Sequence, residues 1–373
     1  MKVLKIFIGL CGSCRNGYES SGRGESRWAQ QLARCFTEAG HQVFMAPDAE
    51  DASWGNCQHP SNAIILQAHE KRRLHTMHFD VAIFTSWQTK MEEALFIHAD
   101  KYLWGVMSWK HEIMKDGYFL DNDYVIRWQR SDLPAIPYPI NFKDRCFLLS
   151  QPFGKEPGNS KFSNKRVAWT AKEIFLETTE YSYSVAAKRH LYAVVDACKA
   201  TDSSLSIFSC SELDKKNSSR ISEMGIDTKI GEICNKVTLN PTLPFSEYQE
   251  ALKRCSVVVP VGFAGSILES VFFGIVPLVY KDGLFFDHPW ISGVCNDFTM
   301  GKSSRDSEPP YDKNVLTRDE ISKILTNLLT DECYYEDMLY RMRPMITDNI
   351  DSHALSQLEA IMKHKCNTTN VRR

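Results

Sequence analysis

Residues 257–280 constrain the fold of this chain more than any other segment. They read VVVPVGFAGSILESVFFGIVPLVY, which is a β-branched strand, a turn of small residues, a short helix and a second apolar strand. Strands this apolar, joined through a helix, are typical of parallel sheets that are buried on both faces. The segment therefore predicts an α/β fold in which strands and helices alternate.

The turn inside this segment predicts an anion-binding site. Gly262, Ala264 and Gly265 leave it almost without side chains, so that backbone N–H groups can approach an anion. The helix is predicted to begin near Ser266, where free N–H groups and the positive end of the helix dipole favour phosphate. Glu269 would repel phosphate unless it binds a neighbouring pair of hydroxyls, which a ribose offers. Such turns also occur in α/β proteins that bind nothing there, and the segment alone leaves both readings open.

Length and composition are those of a globular protein with about two domains. The chain has 373 residues, of which 43% are hydrophobic and 24% charged. Its 44 Lys and Arg against 46 Asp and Glu give a net charge of −2, which offers no global argument for nucleic acid or an anionic membrane. No run approaches the roughly 18 apolar residues of a membrane span. The twelve scattered cysteines also favour a cytoplasmic protein.

Alternating patterns predict two doubly wound domains. Strands are predicted at 2–10, 41–46, 79–85, 101–108, 166–171, 204–208, 237–239 and 257–261, and helices at 25–39, 89–99, 185–199, 247–254 and throughout 317–364. Residues 151–165 contain two Pro and two Gly without apolar periodicity, and are predicted to be a linker. The expected domains are 1–150 and 166–340. Residues 341–373 are expected to form a C-terminal helix that packs back on the first domain, followed by a tail.

Two short motifs have the spacing of metal ligands. Cys11-Gly-Ser-Cys14 follows the first strand and could be a redox pair or half of a zinc site. Its remote partners would be Cys35, His41, Cys57 or His59. No second pair of this kind follows, so we interpret the motif as a loop of small residues. Asp121-Asn-Asp123 stands in a polar stretch and is interpreted as a turn, and we expect no metal site.

These features together resemble the glycosyltransferases of the two-domain GT-B fold. The likeness is strongest to the large group-1 family, which includes glycogen synthases and lipopolysaccharide mannosyltransferases. It covers nearly the whole chain, although it rests on four short patches. It implies two Rossmann-like domains that face each other across a cleft, with the acceptor bound by the first and the nucleotide-sugar donor by the second.

Two of the patches lie in the first domain. Residues 21–29, SGRGESRWA, resemble the family's G-G-x-E-R-W turn, which lies under the acceptor and the donor's pyrophosphate. The resemblance implies this role for Gly22, Arg23, Gly24 and Arg27. His111 follows the strand at 101–108 and resembles the family's histidine beside the reacting sugar, although a histidine in this position is otherwise a surface residue. Residues 137–141 resemble the family's I-P-N-G-V-D.

The other two patches lie in the second domain. Residues 167–172 resemble a strand whose final Arg holds the donor's phosphates, so the resemblance implies Lys172 in that role, with Lys188 or Arg189 as a second cation. Residues 261–269 match E-G-F-G-x-x-L-L-E, except that Val261 replaces the first Glu, which contacts the transferred sugar in many members. Glu269 would then hold the ribose hydroxyls. The donor-binding turn would consist of Gly262, Phe263, Ala264, Gly265 and Ser266.

The resemblance implies transfer of a sugar from a UDP or GDP conjugate to an acceptor hydroxyl, on a glycan or glycoconjugate. It also implies retention of the anomeric configuration, with no metal and no cofactor besides the nucleotide-sugar substrate. Three alternatives stay open. The chain could be a nucleotide-sugar epimerase, a transferase that acts on modified DNA bases, or a catalytically degenerate domain that only binds a nucleotide sugar.

Overall fold

The structure is a computed structural model that describes twelve stretches of the chain. These are residues 2–9, 24–46, 62–66, 68–85, 97–105, 122–127, 145–171, 183–209, 237–240, 245–260, 266–278 and 318–365. The chain divides into two compact units. The first unit comprises Met1–Glu156 together with Asp348–Arg373, and the second comprises Pro157–Thr347.

The first unit is built on a parallel sheet of seven strands. They are β1 Lys5–Gly9, β2 Gln42–Ala46, β3 Ile64–Ile65, β4 His78–Phe84, β5 His98–Gly105, β6 Asp123–Arg127 and β7 Cys146–Leu148. Their order across the sheet is β3-β2-β1-β4-β5-β6-β7, and every neighbouring pair is parallel. This is the doubly wound order, in which the chain starts in the middle of the sheet and reverses direction between β1 and β4.

Both faces of this sheet are buried. On one face Phe7 packs with Phe44 and Phe79 in an aromatic cluster that also includes Leu74 from the 3₁₀ helix Ala68–Thr76. Ile6 and Ile8 point to the opposite face and are fully buried. Helix α1, Gly24–Glu38, packs on β1 and β2. Burial on both faces explains why the strands are apolar throughout and do not alternate with polar residues.

The second unit contains a parallel sheet of five strands. They are β8 Arg166–Ala171, β9 Ser204–Ser209, β10 Val237–Asn240, β11 Val257–Pro260 and β12 Val276–Pro277, in the order β10-β9-β8-β11-β12. Its helices are α2 Tyr183–Thr201, α3 Phe245–Leu252, α4 Ser266–Phe272, α5 Arg318–Thr330 and α6 Glu332–Met342. Helix α2 packs on α5, while α4 packs on β11 and β12.

The last helix belongs to the first unit. Helix α7, Asp351–Lys363, follows the 3₁₀ helix Arg343–Asn349 and packs on α1 and β7. Two backbone hydrogen bonds fasten the returning chain beside residues 153–154. The Phe153 N–H donates to the Asn349 carbonyl, and the Asp351 N–H donates to the Gly154 carbonyl, each at 2.9 Å. The first unit is thus completed by the C-terminal segment.

The α/β class and the parallel sheets of both halves are confirmed. Two local predictions are wrong. The helix predicted at 89–99 does not extend to its proposed end, because His98 and Ala99 belong to β5. The turn proposed at Asp121-Asn-Asp123 is wrong at Asp123, which begins β6 and is 5% exposed. The Trp104 Nε1–H donates to Asp123 Oδ1 at 3.1 Å. This hydrogen bond reduces the free-energy cost of burying the acid in the strand.

Among the described residues, none of the helices combines the length and the apolar character needed to cross a membrane.

Candidate functional site

The second sheet reverses its strand order between β8 and β11. The two strands are parallel neighbours, with Thr170 of β8 opposite Pro260 of β11 at their carboxyl ends. Open α/β sheets bind their ligands beyond the carboxyl ends of the strands at such a reversal, because the helices on either side diverge there. Lys172 directly follows β8 in sequence, and Gly262, Phe263, Ala264 and Gly265 follow β11. These five lie outside the described residues.

Helix α4 begins at Ser266, as the sequence predicts. Its apolar side chains, Ile267, Leu268, Val271 and Phe272, are all at most 3% exposed. Packing on β11 and β12 fixes this short helix, and a seven-residue helix would not be stable without such contacts. The helix ends in a Schellman motif at Gly274, where the Gly274 N–H donates to the Val271 carbonyl and the Ile275 N–H to the Ser270 carbonyl.

Glu269 is the one carboxylate of α4 and is almost completely buried, with 1% of its surface exposed. Its Oε1 accepts a hydrogen bond of 2.7 Å from Nε2 of Gln249 on α3. Burying a carboxylate is costly unless hydrogen bonds replace the water it loses. The structure therefore places a hydrogen-bonded acid on the helix that follows β11, next to the reversal of the strand order.

Gln249 is the residue of this site that the sequence analysis missed. It stands on α3 between Tyr248 and Leu252, which are 6% and 0% exposed. In sequence it is one polar residue among several in SEYQEALKR, and nothing local distinguishes it from Gln or Glu side chains on a solvated helix face. Its contact with Glu269 spans twenty residues and arises only when α3 and α4 pack side by side.

Two polar atoms in β8 have no hydrogen-bond partner in the described part of the chain. They are Nε1 of Trp169 and Oγ1 of Thr170. Thr170 is 8% exposed and lies at the carboxyl end of the strand, so its hydroxyl sits next to the reversal between β8 and β11. Buried hydroxyls normally have a partner. The motif at 167–172 contains this threonine, although the resemblance drew attention to Lys172 instead.

The two further cations proposed for the donor lie on α2. Lys188 and Arg189 are the sixth and seventh residues of this helix. The structure describes their backbone as helical and leaves their side chains outside its description. It therefore places the two residues on the helix that follows β8.

In the first unit the candidate residues are described only in part. Gly24 begins α1, and Arg27 in its first turn is 7% exposed. Gly22, Arg23 and His111 lie outside the described residues. The strand expected to lead toward His111 is described as far as Gly105, and its predicted residues 106–108 lie outside the described residues.

Close packing occurs where β4 and β5 end. A Cβ on Gly105 would lie 2.7 Å from the Thr85 carbonyl oxygen and 2.8 Å from Cζ3 of Trp28. Because Gly105 has no side chain, the indole of Trp28 on α1 can pack directly against the backbone of β5. Trp28 Nε1 and Thr85 Oγ1, both in fully buried residues, lack hydrogen-bond partners in the described stretches.

Two of the remote metal ligands considered for Cys11 and Cys14 are described. Burial raises the pKa of Cys35 to about 12, so its thiol stays protonated at neutral pH. His41 is 6% exposed, and its Nδ1 accepts a hydrogen bond of 3.2 Å from the Leu4 N–H. Burial also lowers the pKa of His41, which keeps the ring neutral. Within the described stretches, no three His, Cys, Asp or Glu side chains form a group that could hold a metal ion.

Comparisons with known proteins establish the class of fold. No family model matches the chain, and no curated protein matches it in sequence. Solved structures match it over nearly its whole length. A glycosyltransferase from Rickettsia africae covers 98% of this chain with 100% of its own, at a TM-score of 0.55 and 11% identity. The sucrose-phosphate synthase from Thermosynechococcus elongatus covers 95% of this chain with 98% of its own, at a TM-score of 0.55 and 10% identity.

A third similar structure is the glycosyltransferase VinC in complex with dTDP, which covers 96% of this chain with 99% of its own, at a TM-score of 0.51 and 11% identity. Taken together, these similarities show that the chain has the GT-B glycosyltransferase fold, in agreement with the resemblance found in its sequence.

Proposed function

We propose that this protein is a glycosyltransferase that moves a sugar from a nucleoside diphosphate sugar to an acceptor hydroxyl. The observation that supports this most directly is Glu269, a buried and hydrogen-bonded carboxylate on the helix after β11, the strand at which the sheet reverses its order. The GT-B fold supplies the context, and the carboxylate supplies a group that can bind a pair of hydroxyls.

The proposed role of Glu269 is to accept hydrogen bonds from the ribose hydroxyls of the donor. Hydrogen bonds to an ionised acceptor are about twice as strong as those between neutral groups. A buried carboxylate has already lost its hydration shell, so a ribose that binds to it replaces little water. Gly262, Phe263, Ala264, Gly265 and Ser266 would seat the diphosphate, with positive charge from Lys172 and from Lys188 or Arg189.

Release of the nucleoside diphosphate needs stabilisation of the negative charge that develops on the leaving phosphate. Backbone N–H groups and cationic side chains can provide it without a metal ion. We therefore propose a metal-independent reaction that needs no cofactor besides the sugar donor. His111 is proposed to act catalytically beside the reacting sugar, and the turn that includes Gly22, Arg23, Gly24 and Arg27 to lie under the acceptor and the donor's pyrophosphate. Retention of the anomeric configuration is proposed with them.

The first test is thermal unfolding of the protein with UDP, GDP, ADP and CMP and with their common sugar conjugates. A ligand at about 100 times its dissociation constant should stabilise the folded state by about 2.7 kcal/mol. A selective shift with one nucleotide supports the proposal and identifies the donor base. The absence of any shift contradicts it.

The second test measures the contribution of Glu269 itself. Replacement by Ala should weaken nucleotide binding by about 1–3 kcal/mol, because one charge-assisted pair of hydrogen bonds is lost. Binding is measured by titration calorimetry with the nucleotide selected above. Glu250→Ala is the matched control, since Glu250 is an exposed acid on α3 that pairs with Lys253 at 2.7 Å and should leave binding unchanged. Unchanged affinity in Glu269→Ala would remove Glu269 from the donor site.

Turnover distinguishes the remaining alternatives. A transferase consumes the selected donor faster when a suitable acceptor is added, whereas an epimerase converts the donor without any acceptor. A protein that binds the nucleotide but converts no donor in either assay is a binding domain, and would contradict the catalytic part of the proposal.

A further inference from the structure

Gln249 and Glu269 form a hydrogen-bonded pair between two helices on one side of the second sheet. The Gln249 amide donates from Nε2 to Oε1 of Glu269 at 2.7 Å, which is a short distance for an amide donor and a charged acceptor. Glu269 is 1% exposed, and Gln249 is half-buried. The pair therefore lies largely out of contact with water.

We propose that Gln249 is the positioning residue of the donor site, and that it fixes the orientation of the Glu269 carboxylate for the two ribose hydroxyls. This inference rests on the proposed function of Glu269. A free glutamate carboxylate rotates broadly about its last side-chain bond. A donor held on one oxygen removes this freedom, so that the carboxylate plane is set before the nucleotide arrives.

The helix that carries Gln249 is itself firmly anchored. Tyr248, the preceding residue, packs edge-on against Phe208 of β9 with ring centroids 5.5 Å apart, and Leu252 one turn later is fully buried. Apolar side chains anchor α4 in the same way. Both ends of the hydrogen bond therefore sit on elements whose backbone is fixed by the core, which is the arrangement expected of a preorganised binding group.

The chemistry of the amide also suits this role. Gln249 adds a donor without adding a charge, so it orients the carboxylate without neutralising it. A lysine or arginine at the same place would form an ion pair and compete with the ribose hydroxyls for the carboxylate oxygens. A neutral donor leaves the carboxylate a strong acceptor for the ligand.

The first variant is Gln249→Met, which keeps the length of the side chain and removes the N–H donor. Its affinity for UDP, GDP or ADP, whichever binds the parent protein most tightly, should fall about 10-fold, as expected when a hydrogen bond to a charged group is lost. Glu250→Met, at the next position and exposed, is the matched control and should bind like the parent protein. Titration calorimetry gives both affinities, and urea unfolding monitors the stability of each variant.

The second variant, Gln249→Glu, separates positioning from simple packing. It places two carboxylates in contact, which raises the pKa of one of them. At low pH the shared proton can replace the amide hydrogen bond, whereas at higher pH the proton is lost and the two charges repel. Nucleotide affinity should therefore approach that of the parent below the raised pKa and fall as the pH rises through it. The parent should show no such transition.

The charged groups described around the pair are the same in the parent and in the variant. Among the described residues on and directly after α3 they are Glu247 and Arg254, which are exposed, and Glu250 with Lys253, which form their own surface ion pair. The strands packed against α4, β11 and β12, consist of apolar residues. Each of these groups is present in the parent and in the variant, so the difference between their pH profiles reports on position 249.

The outcomes distinguish this inference from the proposed function. If Glu269→Ala loses nucleotide affinity while Gln249→Met keeps it, the positioning role is wrong and the donor site stands. If Glu269→Ala keeps its affinity, the donor site itself is wrong and the inference falls with it. If Gln249→Met does not fold, the profile of Gln249→Glu decides, and an affinity that does not change with pH overturns the inference.

Discussion

At the scale of single residues, Gly40 and Gly274 end their helices in the left-handed region of backbone conformation, with φ of 87° and 80°. Both complete a Schellman motif, since at Gly40 the N–H donates to the Thr37 carbonyl and the next N–H, of His41, donates to the Phe36 carbonyl. The two sites differ in their surroundings. A Cβ on Gly40 would meet no atom within 4 Å, whereas a Cβ on Gly274 would lie 1.9 Å from the Asn159 carbonyl oxygen.

This difference predicts unequal costs for the same substitution. Gly40→Ala should lower the free energy of unfolding by about 1–2 kcal/mol, which is the cost of a left-handed alanine. Gly274→Ala carries the same cost and must also displace the backbone at Asn159, so we expect a total loss of about 2–5 kcal/mol. Urea unfolding followed by circular dichroism measures both. Equal losses would show that the backbone near Asn159 shifts without lowering the free energy of unfolding further.

At the scale of elements, α7 is held to α1 by an ion pair whose side chains are 17% exposed at Arg34 and 10% exposed at Asp351. Nη1 of Arg34 lies 2.9 Å from Oδ2 of Asp351, and Nη2 lies 2.6 Å from Oδ1, so the ion pair is bidentate. Burial acts to lower the pKa of Arg34, but the hydrogen bonds and charge of Asp351 outweigh it and the pKa is raised. The guanidinium therefore stays charged, and Asp351 is its buried counterion.

Removing Asp351 should leave the positive charge of the Arg34 guanidinium without its main counterion. Asp351→Ala is expected to lower the free energy of unfolding by about 3–5 kcal/mol, as when one member of a buried pair is lost. Arg34 also contacts Glu38, one turn along α1, at 3.1 Å, but the Glu38 side chain is 47% exposed. Glu38→Ala is the control and should cost at most about 0.5 kcal/mol. Similar losses in the two variants would show that the pair with Asp351 contributes no more than a surface pair.

At the scale of the whole molecule, the chain leaves the first unit after Glu156 and returns to it at Asp348. Several contacts join the returning segment to other residues of the first unit. Lys101 donates to the His364 carbonyl at 2.7 Å and to the Tyr124 hydroxyl at 2.6 Å, and the Ser150 N–H donates to Oε1 of Gln357 at 2.7 Å. The first unit thus depends on residues that are synthesised after the second unit.

Deleting residues 348–373 should therefore destabilise the first unit selectively. Burial raises the pKa of Cys35 in the first unit, and of Cys198 and Cys255 in the second, to about 12, so all three thiols are protonated and unreactive at pH 8. The deletion removes Asp351, whose carbonyl contacts the Cys35 Sγ at 3.6 Å and whose charge helps to raise its pKa. Cys35 should then react with iodoacetamide while Cys198 and Cys255 stay protected.

Peptide mapping by mass spectrometry measures this labelling. Exposed Cys333 reacts in every variant and serves as the internal reference. Labelling of Cys198 and Cys255 together with Cys35 would show that the deletion unfolds the second unit as well.

Residues close together in sequence determined the secondary structure elements and the fold class of this protein. Runs of β-branched residues determined the central strands, and the apolar stripe with Gly40 at its end determined α1, because each depends on residues close in sequence. The alternation of these patterns determined the parallel α/β class, and the residues around Glu269 indicated an acid on the helix after β11. All of these features are present in the order of side chains along the chain.

Tertiary structure alone decided the rest. Asp123 is part of a strand because β6 pairs with β5, and Trp104 of β5 donates to its buried carboxylate. His98 and Ala99 are part of a strand because β4 pairs with them. The pairing of Gln249 with Glu269 and that of Arg34 with Asp351 join residues that are 20 and 317 positions apart. A sequence pattern does not encode such contacts, because they exist only once the sheets have aligned the helices that carry them.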